Sequence, residues 1–410
     1  MALGVEAANA YVGRVALDVR KLFHARGLDL GRFDNLMMVQ KSVNLPCEDP
    51  VTNAVNAAKP ILDRLTGEQR DSIEAVIVGT ESGLDYGKPI STYVHHYLGL
   101  SRRCRSFEVK HACYGGTAAL RTALGLLSGS PRPQARALVI AADAGGSVVG
   151  MPYWEPSHGA GAVALLVGPG PEVLDLDPGA AGLYSYEVMD TCRPRSDLAV
   201  GDSDLSLLAY LECLERSFAD YQAVVPAADI IDSFDHLAFH TPFGGMVKGA
   251  HRHLMRRVKR MSPEAIESDF LARMAASLVM PARVGNTYAA GLFVALLSLI
   301  ENGDFREPRR VGLFSYGSGC ASEFYSGVVS AEAPALLAQY RMAERLDARH
   351  QLAVDDYDLL AKHGAEGAPG VQDVVLDVSQ YADVYAPALH GQEQLVLDRI
   401  ENFHRRYRWS

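Results

Sequence analysis

Three runs in the first half of the chain are almost continuously apolar and contain β-branched residues. They cover residues 73–78, 137–142 and 162–167. Such runs are typical of strands that are buried on both faces. Residues 116–127, which lie between two of these runs, have helical character, and the alternation of the two patterns predicts a layered α/β fold.

The second half repeats this plan loosely. Residues 235–240 and 311–316 predict strands, and residues 288–300 predict a buried helix in which Gly291 is a weak point. Residues 204–221 predict a charged helix between the two halves, which we expect to lie outside the core.

The C-terminal part has a different pattern. Residues 364–370 are rich in glycine and predict a turn. Residues 393–409 predict an amphipathic helix that ends in basic residues. Those residues could hold an anionic partner, although a solvated helix end is the alternative.

The composition is that of a globular protein of two or three domains, or of two fused halves: 48% of the 410 residues are apolar and 21% are charged. The formal net charge of -10 argues against a nucleic-acid surface, because phosphate binding needs a concentrated positive field. The N-terminus lacks the pattern of a signal peptide, and the longest apolar stretch, residues 289–300, is too short to span a bilayer. We therefore expect a cytoplasmic protein with no membrane or nucleic-acid partner.

The six cysteines are scattered along the chain without a CxxC pair. They are Cys47, Cys104, Cys113, Cys192, Cys213 and Cys320. In a large cytosolic protein this pattern favours reduced thiols over disulfides. No group of His and Cys residues has the spacing of zinc ligands, so we expect no metal site.

Cys113 lies where a strand runs through a short turn into a helix of small residues that begins near Gly115. A cysteine at a helix N-terminus is expected to have a lowered pKa, and the free N–H groups there can hold the oxyanion of a thioester. The paired glycines Gly115 and Gly116 would let a substrate approach the backbone closely. The alternative is a buried structural cysteine.

Two further residues follow predicted strands. His240 ends an apolar strand and is followed by Pro and Gly, as expected for a strand end that opens into a site, although a hydrogen-bonded core histidine is the alternative. Glu81 follows the strand of residues 73–78 between glycines. Burial there would raise its pKa towards neutrality and fit it for proton transfer at carbon, whereas a solvated loop glutamate is the alternative.

Two glycine-containing turns supply weaker candidates. Asn286 could hold a histidine or a carbonyl oxygen, and the N–H of Ser318 could complete an oxyanion hole. Both positions also suit ordinary turn chemistry.

Taken together, these windows resemble the 3-hydroxy-3-methylglutaryl-CoA synthase family, within the thiolase superfamily. The matching segments occur in the family's order and are residues 80–82, 112–117, 159–164, 239–243, 285–288 and 316–319. The resemblance is closest to the branch of polyketide pathways, which installs β-branches on chains bound to carrier proteins. The segments that resemble this branch are residues 18–22, 35–38, 48–51 and 403–409, and residues 39–46 differ from the primary-metabolism sequence.

The resemblance implies a C–C bond-forming acyltransferase. Cys113 would take an acetyl group from a donor thioester, and Glu81 would remove a proton from the acetyl methyl group. The resulting carbon would add to the β-ketone of a second thioester, whose oxygen His240 would polarise or protonate. Hydrolysis at Cys113 would release the product. The residues expected to support the substrate site are Asp143, Asn286, Ser318 and Arg32.

One position departs from the family pattern. Several family members carry a basic residue where Gly245 stands, near the phosphate of the pantetheine arm. Lys248 is the nearest lysine in this chain. Arg32 is a possible substitute.

The fold implied is a thiolase-like five-layer αβαβα sandwich of two similar halves, in a homodimer. Residues 1–170 would carry the nucleophilic cysteine, and residues 171–410 the catalytic histidine and an inserted helical segment around residues 200–222. The partners implied are donor and acceptor acyl carrier proteins, with substrates on phosphopantetheine and no permanently bound cofactor. Carrier proteins are acidic, so docking needs a basic patch. Arg102, Arg103 and Arg105 are candidates, with simple solvation as the alternative.

Three other functions stay open at this point. A ketosynthase of the initiation type would use Cys113, His240 and Asn286 as a triad, but a decarboxylating ketosynthase needs no carboxylate base such as Glu81. A synthase of primary metabolism would use acetyl-CoA and acetoacetyl-CoA. A non-catalytic carrier-protein binding module would not acylate its cysteine. The sequence leaves open whether the donor group is acetyl or propionyl.

Overall fold

The computed structural model describes residues 2–145, 149–151 and 153–410. The strands are β1 (Gly4–Tyr11), β2 (Val15–Asp18), β3 (Gln40–Val43), β4 (Ile73–Gly79), β5 (Arg105–Val109), β6 (Arg136–Asp143), β7 (Gly161–Gly168), β8 (Leu174–Ser185), β9 (Thr191–Arg195), β10 (Leu198–Gly201), β11 (His236–Phe239), β12 (Arg309–Gly317), β13 (Ala321–Val329), β14 (His350–Leu352), β15 (Val374–Val375), β16 (Leu395–Glu401) and β17 (His404–Trp409). The helices are α1 (Val19–Arg26), α2 (Leu30–Leu36), α3 (Pro50–Leu62), α4 (Gly67–Asp71), α5 (Ser91–Tyr97), α6 (Gly115–Ser128), α7 (Ser203–Val224), α8 (Gly244–Val258), α9 (Pro263–Arg273), α10 (Pro281–Val284), α11 (Gly291–Asn302), α12 (Ala333–Ala338), α13 (Met342–Asp347), α14 (Val354–His363) and α15 (Ala382–Ala388). Short 3-10 turns cover Ala275–Leu278, Tyr288–Ala290 and Val378–Tyr381.

The central sheet consists of two sets of strands with the same order of orientations. In the first set β1 pairs with β7 and β7 with β6 in antiparallel fashion, and β4 and β5 then follow in parallel. In the second set β8 pairs with β13 and β13 with β12 in antiparallel fashion, and β11 then follows in parallel. The two sets meet where β1 pairs with the start of β8. This repeat supports two similar halves, while the boundary at residue 170 stays a prediction.

Helices lie outside and between the two sets of strands. α3 covers the outer face of β1, β6 and β7, and α7 covers β8 and β13, with α8 beside it. α6 packs against β4 and β6 and also reaches the second set, since its Arg121 forms an ion pair with Glu323 of β13. α11 contacts β1, β11 and β12. The five-layer α/β sandwich is therefore confirmed.

The apolar runs form the predicted strands. Residues 73–78, 137–142 and 162–167 fall in β4, β6 and β7, and nearly all of these residues are buried. Residues 235–240 and 311–316 contain β11 and most of β12. The helix predicted for residues 288–300 begins as the 3-10 turn Tyr288–Ala290 and continues as α11, of which Gly291 is the first residue.

The charged helix predicted for residues 204–221 is α7, but its expected place outside the core is wrong. Tyr210 and Phe218 of α7 are almost fully buried. They pack against Phe314 and Phe324 of the second set of strands. The charged residues lie on the opposite side of the helix, so its composition masks an apolar face.

The amphipathic helix predicted for residues 393–409 is also wrong, because these residues form the hairpin of β16 and β17. Asn402 and Phe403 connect the strands with φ of 46° and 64°, as a two-residue turn with positive φ requires. Arg405 and Tyr407 lie on one buried face of β17 and both donate hydrogen bonds to Asp49. Residues 364–370 contain the predicted turns.

Among the helices of the described residues, none combines the length and the apolar character that crossing a membrane requires.

Candidate active site

Cys113 lies in the turn between the end of β5 and the start of α6, as the sequence predicts. Ala112 has a φ of 39° and the N–H of Tyr114 donates to the carbonyl of His111, which fixes a tight turn before the helix. The Cys113 thiol faces Glu81, with 3.6 Å between its Sγ and Oε2 of the carboxylate.

The glycines at the start of α6 bring chain segments together rather than leaving room for a substrate. A Cβ on Gly116 would overlap the carbonyl oxygen of Ala289, and a Cβ on Gly79 would overlap that of Gly115. The end of β4 and the 3-10 turn before α11 therefore touch the first turn of α6 directly. The expectation of a close substrate approach at Gly116 is wrong, because the protein's own backbone fills that space.

The expected lowering of the Cys113 pKa is wrong as well. Burial raises the pKa of the thiol well above its usual value, and the nearby carboxylates of Glu81 and Asp143 raise it further. Arg193 opposes this effect only in part. Cys113 is therefore a thiol at neutral pH and needs a base before it can attack an acyl group.

Glu81 follows β4 and has the raised pKa expected for a buried carboxyl group. Burial raises its pKa to about 7, and Asp143 contributes in the same direction, while the guanidinium of Arg193 and the Cys113 thiol lower it. Its side chain is 18% exposed. A carboxylate whose pKa is near 7 and which lies beside the thiol can accept a proton from sulfur or from carbon.

Arg193, which the sequence analysis missed, lies in β9 of the β9–β10 hairpin and reaches into the site. Its guanidinium lies 3.1 Å from Oε1 of Glu81 and donates a hydrogen bond of 3.3 Å to the Ser82 hydroxyl. It also lies over the ring of Tyr288, 5.2 Å from the ring centre. The strand contributing this arginine is five residues long and partly exposed, so its sequence pattern carries no signal of a buried cation.

His240 directly follows β11, as predicted, and is 1% exposed. Its backbone N–H donates to the carbonyl of Phe314 at 2.8 Å, and its backbone carbonyl accepts a 2.7 Å hydrogen bond from the Tyr210 hydroxyl. Nδ1 of its ring has no hydrogen-bond partner in the described residues. Burial lowers the pKa of His240 to about 3, so the ring is neutral.

Asn286 and His240 meet at the first residue of α11. A Cβ on Gly291 would lie 2.8 Å from Nδ1 of His240 and 3.7 Å from Oδ1 of Asn286. The amide oxygen of Asn286 accepts a hydrogen bond from the N–H of Tyr288 at 2.8 Å. The absent side chain of Gly291 is what lets the histidine and the asparagine approach α11 together.

Tyr288 and His158, also missed from the sequence, connect the two sides of the site. The Tyr288 hydroxyl and Nδ1 of His158 lie 2.8 Å apart, and burial lowers the pKa of His158 to about 3. Because the guanidinium of Arg193 also lies over the Tyr288 ring, this tyrosine connects the turn that contains Asn286 with the part of the site that contains Glu81.

Asp143 supports the backbone around Glu81. Its carboxylate accepts hydrogen bonds from the Thr80 hydroxyl, the Glu81 N–H and the Ala289 N–H, each at 2.9 Å. Both carboxylate oxygens are thereby engaged, which joins the end of β4 to the 3-10 turn before α11.

Ser318 lies in the turn between β12 and β13, beside the Cys113 turn. A Cβ on Gly317 would lie 2.5 Å from the backbone nitrogen of Tyr114. Asp190 holds this turn, since its carboxylate accepts hydrogen bonds from the Gly319 N–H and from the Tyr316 hydroxyl. The structure therefore brings Ser318 close to the nucleophile's turn.

Arg32 is half-buried on α2, where it donates to the carbonyl of Tyr153 and its guanidinium lies over the Tyr153 ring. The end of α2 packs on the start of α8, and a Cβ on Gly245 would overlap the carbonyl oxygen of Asn35. No side chain fits at Gly245 without moving α2. Lys248 is paired with Glu267 at 2.7 Å.

The three arginines that the sequence offers as a basic patch lie at the opposite end of β5 from Cys113. Arg102, Arg103 and Arg105 are exposed at the amino end of β5, whereas Cys113 follows its carboxyl end.

Comparisons with known proteins agree with this architecture. The family profiles "Hydroxymethylglutaryl-coenzyme A synthase N terminal" and "C terminal" match residues 2–172 and 252–366. The chain is 49% identical to the polyketide biosynthesis 3-hydroxy-3-methylglutaryl-ACP synthase PksG of Bacillus subtilis, over 99% of both chains. It is 34% identical to a hydroxymethylglutaryl-CoA synthase of Enterococcus faecalis, over 88% of this chain and 91% of the other.

Solved structures also match this chain over its whole length. The HMG synthase of the curacin biosynthetic pathway matches the whole of both chains with a TM-score of 0.97 and 51% identity, and the same synthase is known in complex with acetyl donor-ACP. MvaS in complex with 3-hydroxy-3-methylglutaryl coenzyme A matches with a TM-score of 0.86 and 29% identity, over 100% of this chain and 99% of the other. The chain therefore belongs to the hydroxymethylglutaryl-CoA synthase family.

Proposed function

We propose that this chain condenses an acetyl group, delivered by a donor acyl carrier protein, with the β-ketone of a polyketide bound to an acceptor carrier protein, and so installs a β-branch. The observation that carries the proposal is the 3.6 Å contact between Sγ of Cys113 and Oε2 of Glu81. This contact places a base beside the atom that would hold the acetyl group. The identity to PksG and the donor-ACP complexes of the curacin synthase support the carrier-protein substrates.

Acetyl transfer begins with the Cys113 thiol, since its pKa is raised. Glu81 accepts the thiol proton while Sγ attacks the donor thioester, and the proton passes to the departing pantetheine thiolate. The acetyl group then stands on Sγ, and Glu81 is again a carboxylate.

Condensation uses the same carboxylate a second time. Glu81 removes a proton from the acetyl methyl group, and the carbon that loses it attacks the ketone of the acceptor. The neutral ring of His240 donates a hydrogen bond to the ketone oxygen, because its pKa of about 3 keeps it from being a charged acid. The alkoxide formed by the addition takes up a proton from solvent, and Glu81 releases to solvent the proton that it took from the methyl group, so that the protons balance.

The remaining site residues have supporting roles in this proposal. Asp143 holds the backbone of Glu81, Asn286 orients the turn next to His240, and the N–H of Ser318 faces the acyl oxygen on Cys113. Arg32 binds the phosphate of the phosphopantetheine arm, since α2 lies over the residues that follow His240. We accordingly place carrier docking at α2 rather than at the arginines of β5.

A homodimer and a cytoplasmic location belong to the same proposal. β5 is the last strand of the central sheet, so one of its edges has no partner strand in the described residues. An unpaired strand edge next to the active site is a suitable place for two copies to meet around a two-fold axis.

A second candidate is a synthase of primary metabolism, favoured by the 34% identity to the Enterococcus faecalis enzyme. Acyl donor preference separates the two, and intact-protein mass spectrometry after mixing with acetyl-loaded carrier protein or acetyl-CoA measures it. We expect one acetyl group on the wild type and on Cys104→Ala, none on Cys113→Ala, and faster loading from the carrier protein. Faster loading from CoA would favour primary metabolism, and no loading from either donor would favour the non-catalytic binding module.

A further inference from the structure

Arg193 is a charged residue of the site that lies outside every sequence segment carrying the family resemblance. Its side chain is 16% exposed, and it arrives on the β9–β10 hairpin rather than on the strands and helices that carry Cys113, Glu81 and His240. Burying an arginine is costly unless anions compensate its charge. In this site Glu81 contacts the guanidinium directly, and Asp143 contributes a second negative charge.

Glu81 bridges Arg193 and Cys113. One carboxylate oxygen lies 3.1 Å from the guanidinium, and the other lies 3.6 Å from Sγ. The cation is thus separated from the acyl-carrying sulfur by a single carboxylate. When Glu81 takes a proton it becomes neutral, and the buried charge of Arg193 loses the carboxylate that contacts it, with only Asp143 left to offset the charge.

The guanidinium keeps its place when this happens, because two contacts do not depend on the charge of Glu81. It donates to the hydroxyl of Ser82, and it lies over the ring of Tyr288. A stacked and hydrogen-bonded guanidinium is preorganised to receive a planar carboxylate through paired N–H groups.

We propose that Arg193 binds the carboxylate that hydrolysis releases from Cys113, an inference that rests on the proposed function. Water adds to the acyl carbon, a C–O bond forms, the C–Sγ bond breaks, and Sγ leaves with one proton of the water while the second proton goes to solvent. The product carboxylate appears beside two acidic groups, Glu81 and Asp143. Arg193 stabilises the negative charge as it develops on the acyl oxygens.

The test is a time course of the acyl-enzyme by intact-protein mass spectrometry, with acetyl-loaded carrier protein as donor and an acetoacetyl-loaded carrier protein as acceptor probe. In Arg193→Gln, followed from the point at which acetyl loading is complete, we expect a condensed acyl group on Cys113 that persists about 10- to 100-fold longer than in the wild type, as expected for the loss of a charged hydrogen-bond donor. Arg193→Lys restores part of the release rate. Arg195→Gln, on the same hairpin but 68% exposed, releases product as the wild type does.

Three outcomes would overturn the inference. In the first, Arg193→Gln releases the condensed product at the wild-type rate. In the second, this variant slows only the exchange of the acetyl methyl protons with deuterated water, which would make Arg193 a positioning residue of Glu81. In the third, it loses acetyl loading together with its folding, as judged by circular dichroism, and Arg193→Lys does the same. A wild type that does not load acetyl at all would instead refute the proposed function.

Discussion

Replacing Gly291 by alanine should show whether catalysis depends on where the His240 ring lies, because the substitution moves the ring without removing it. The added Cβ would lie 2.8 Å from Nδ1 and 3.0 Å from Cε1 of the His240 ring. Ordinary contacts begin at 3.4 Å, so the ring or α11 must move by about 0.6 Å. The φ of Gly291 is -57°, so the backbone itself accepts alanine and the effect is purely steric.

The His240 ring cannot move away at low cost. It is 1% exposed, and its backbone is held by Phe314 on one side and Tyr210 on the other. Overpacking of this kind destabilises a protein by about 1–3 kcal/mol. A displacement of this size at a catalytic group lowers the rate by up to about 100-fold. Because Cys113 is untouched, acetyl loading should stay near the wild-type rate.

The assay measures acetyl loading by mass spectrometry, condensation by product formation, and stability by urea denaturation. Gly249→Ala in α8 is the matched control, since nothing lies within 4 Å of its added Cβ. It should stabilise the protein by about 0.5–1 kcal/mol and leave both rates unchanged. If Gly291→Ala condenses at the wild-type rate, the placement of His240 against α11 does not matter for catalysis and the reasoning fails.

Three further predictions concern other parts of the chain. Exchange of the acetyl methyl protons should rise with pH and level off above about 7, because a raised pKa leaves Glu81 protonated, and hence inactive as a base, below that value; a pH–rate profile measures this. Gly245→Lys should slow loading from the carrier protein at least about tenfold, since its side chain displaces α2. Asp49→Ala should lower the free energy of unfolding by about 3–5 kcal/mol, measured in urea, because it leaves the buried Arg405 without its carboxylate.

Each of these three predictions has a result that would contradict the reasoning behind it. A pH profile with a midpoint near 4.5 would show that Glu81 is solvated during exchange. Improved use of acetyl-CoA by Gly245→Lys would mean that α2 moves freely. An effect of Asp49→Ala no larger than that of Asp398→Ala, whose ion pair with Arg408 is more exposed, would mean that the C-terminal hairpin is not anchored there.

The sequence predicted what depends on local pattern. The apolar runs at β4, β6 and β7 are strands because a segment buried on both faces has few polar positions, and the order of the segments around Glu81, Cys113 and His240 led to the family. The structure places the first two of these in contact and puts the third against α11.

Predictions from the sequence were wrong or incomplete where contacts with distant residues outweigh the local pattern. The helix N-terminus near Cys113 predicts a lowered pKa, but burial and the carboxylate of Glu81 raise it. The local pattern of the last residues predicts an amphipathic helix, but they form a hairpin that is anchored by Asp49, which lies more than three hundred residues earlier. Arg193 is buried only through tertiary contacts, so its own strand gives no indication of it.

The central claim is that Glu81 removes a proton from an acetyl group held on Cys113. The most direct measurement is the mass of the acetyl-enzyme in deuterated water, without an acceptor, for the wild type and for Glu81→Gln. We predict that Glu81→Gln loads acetyl more slowly, because it lacks the base that takes the thiol proton, and that in the loaded enzyme deuterium replaces the methyl protons at least about 100-fold faster in the wild type than in the variant. Equal exchange in the two proteins would contradict the assignment of Glu81 as the base.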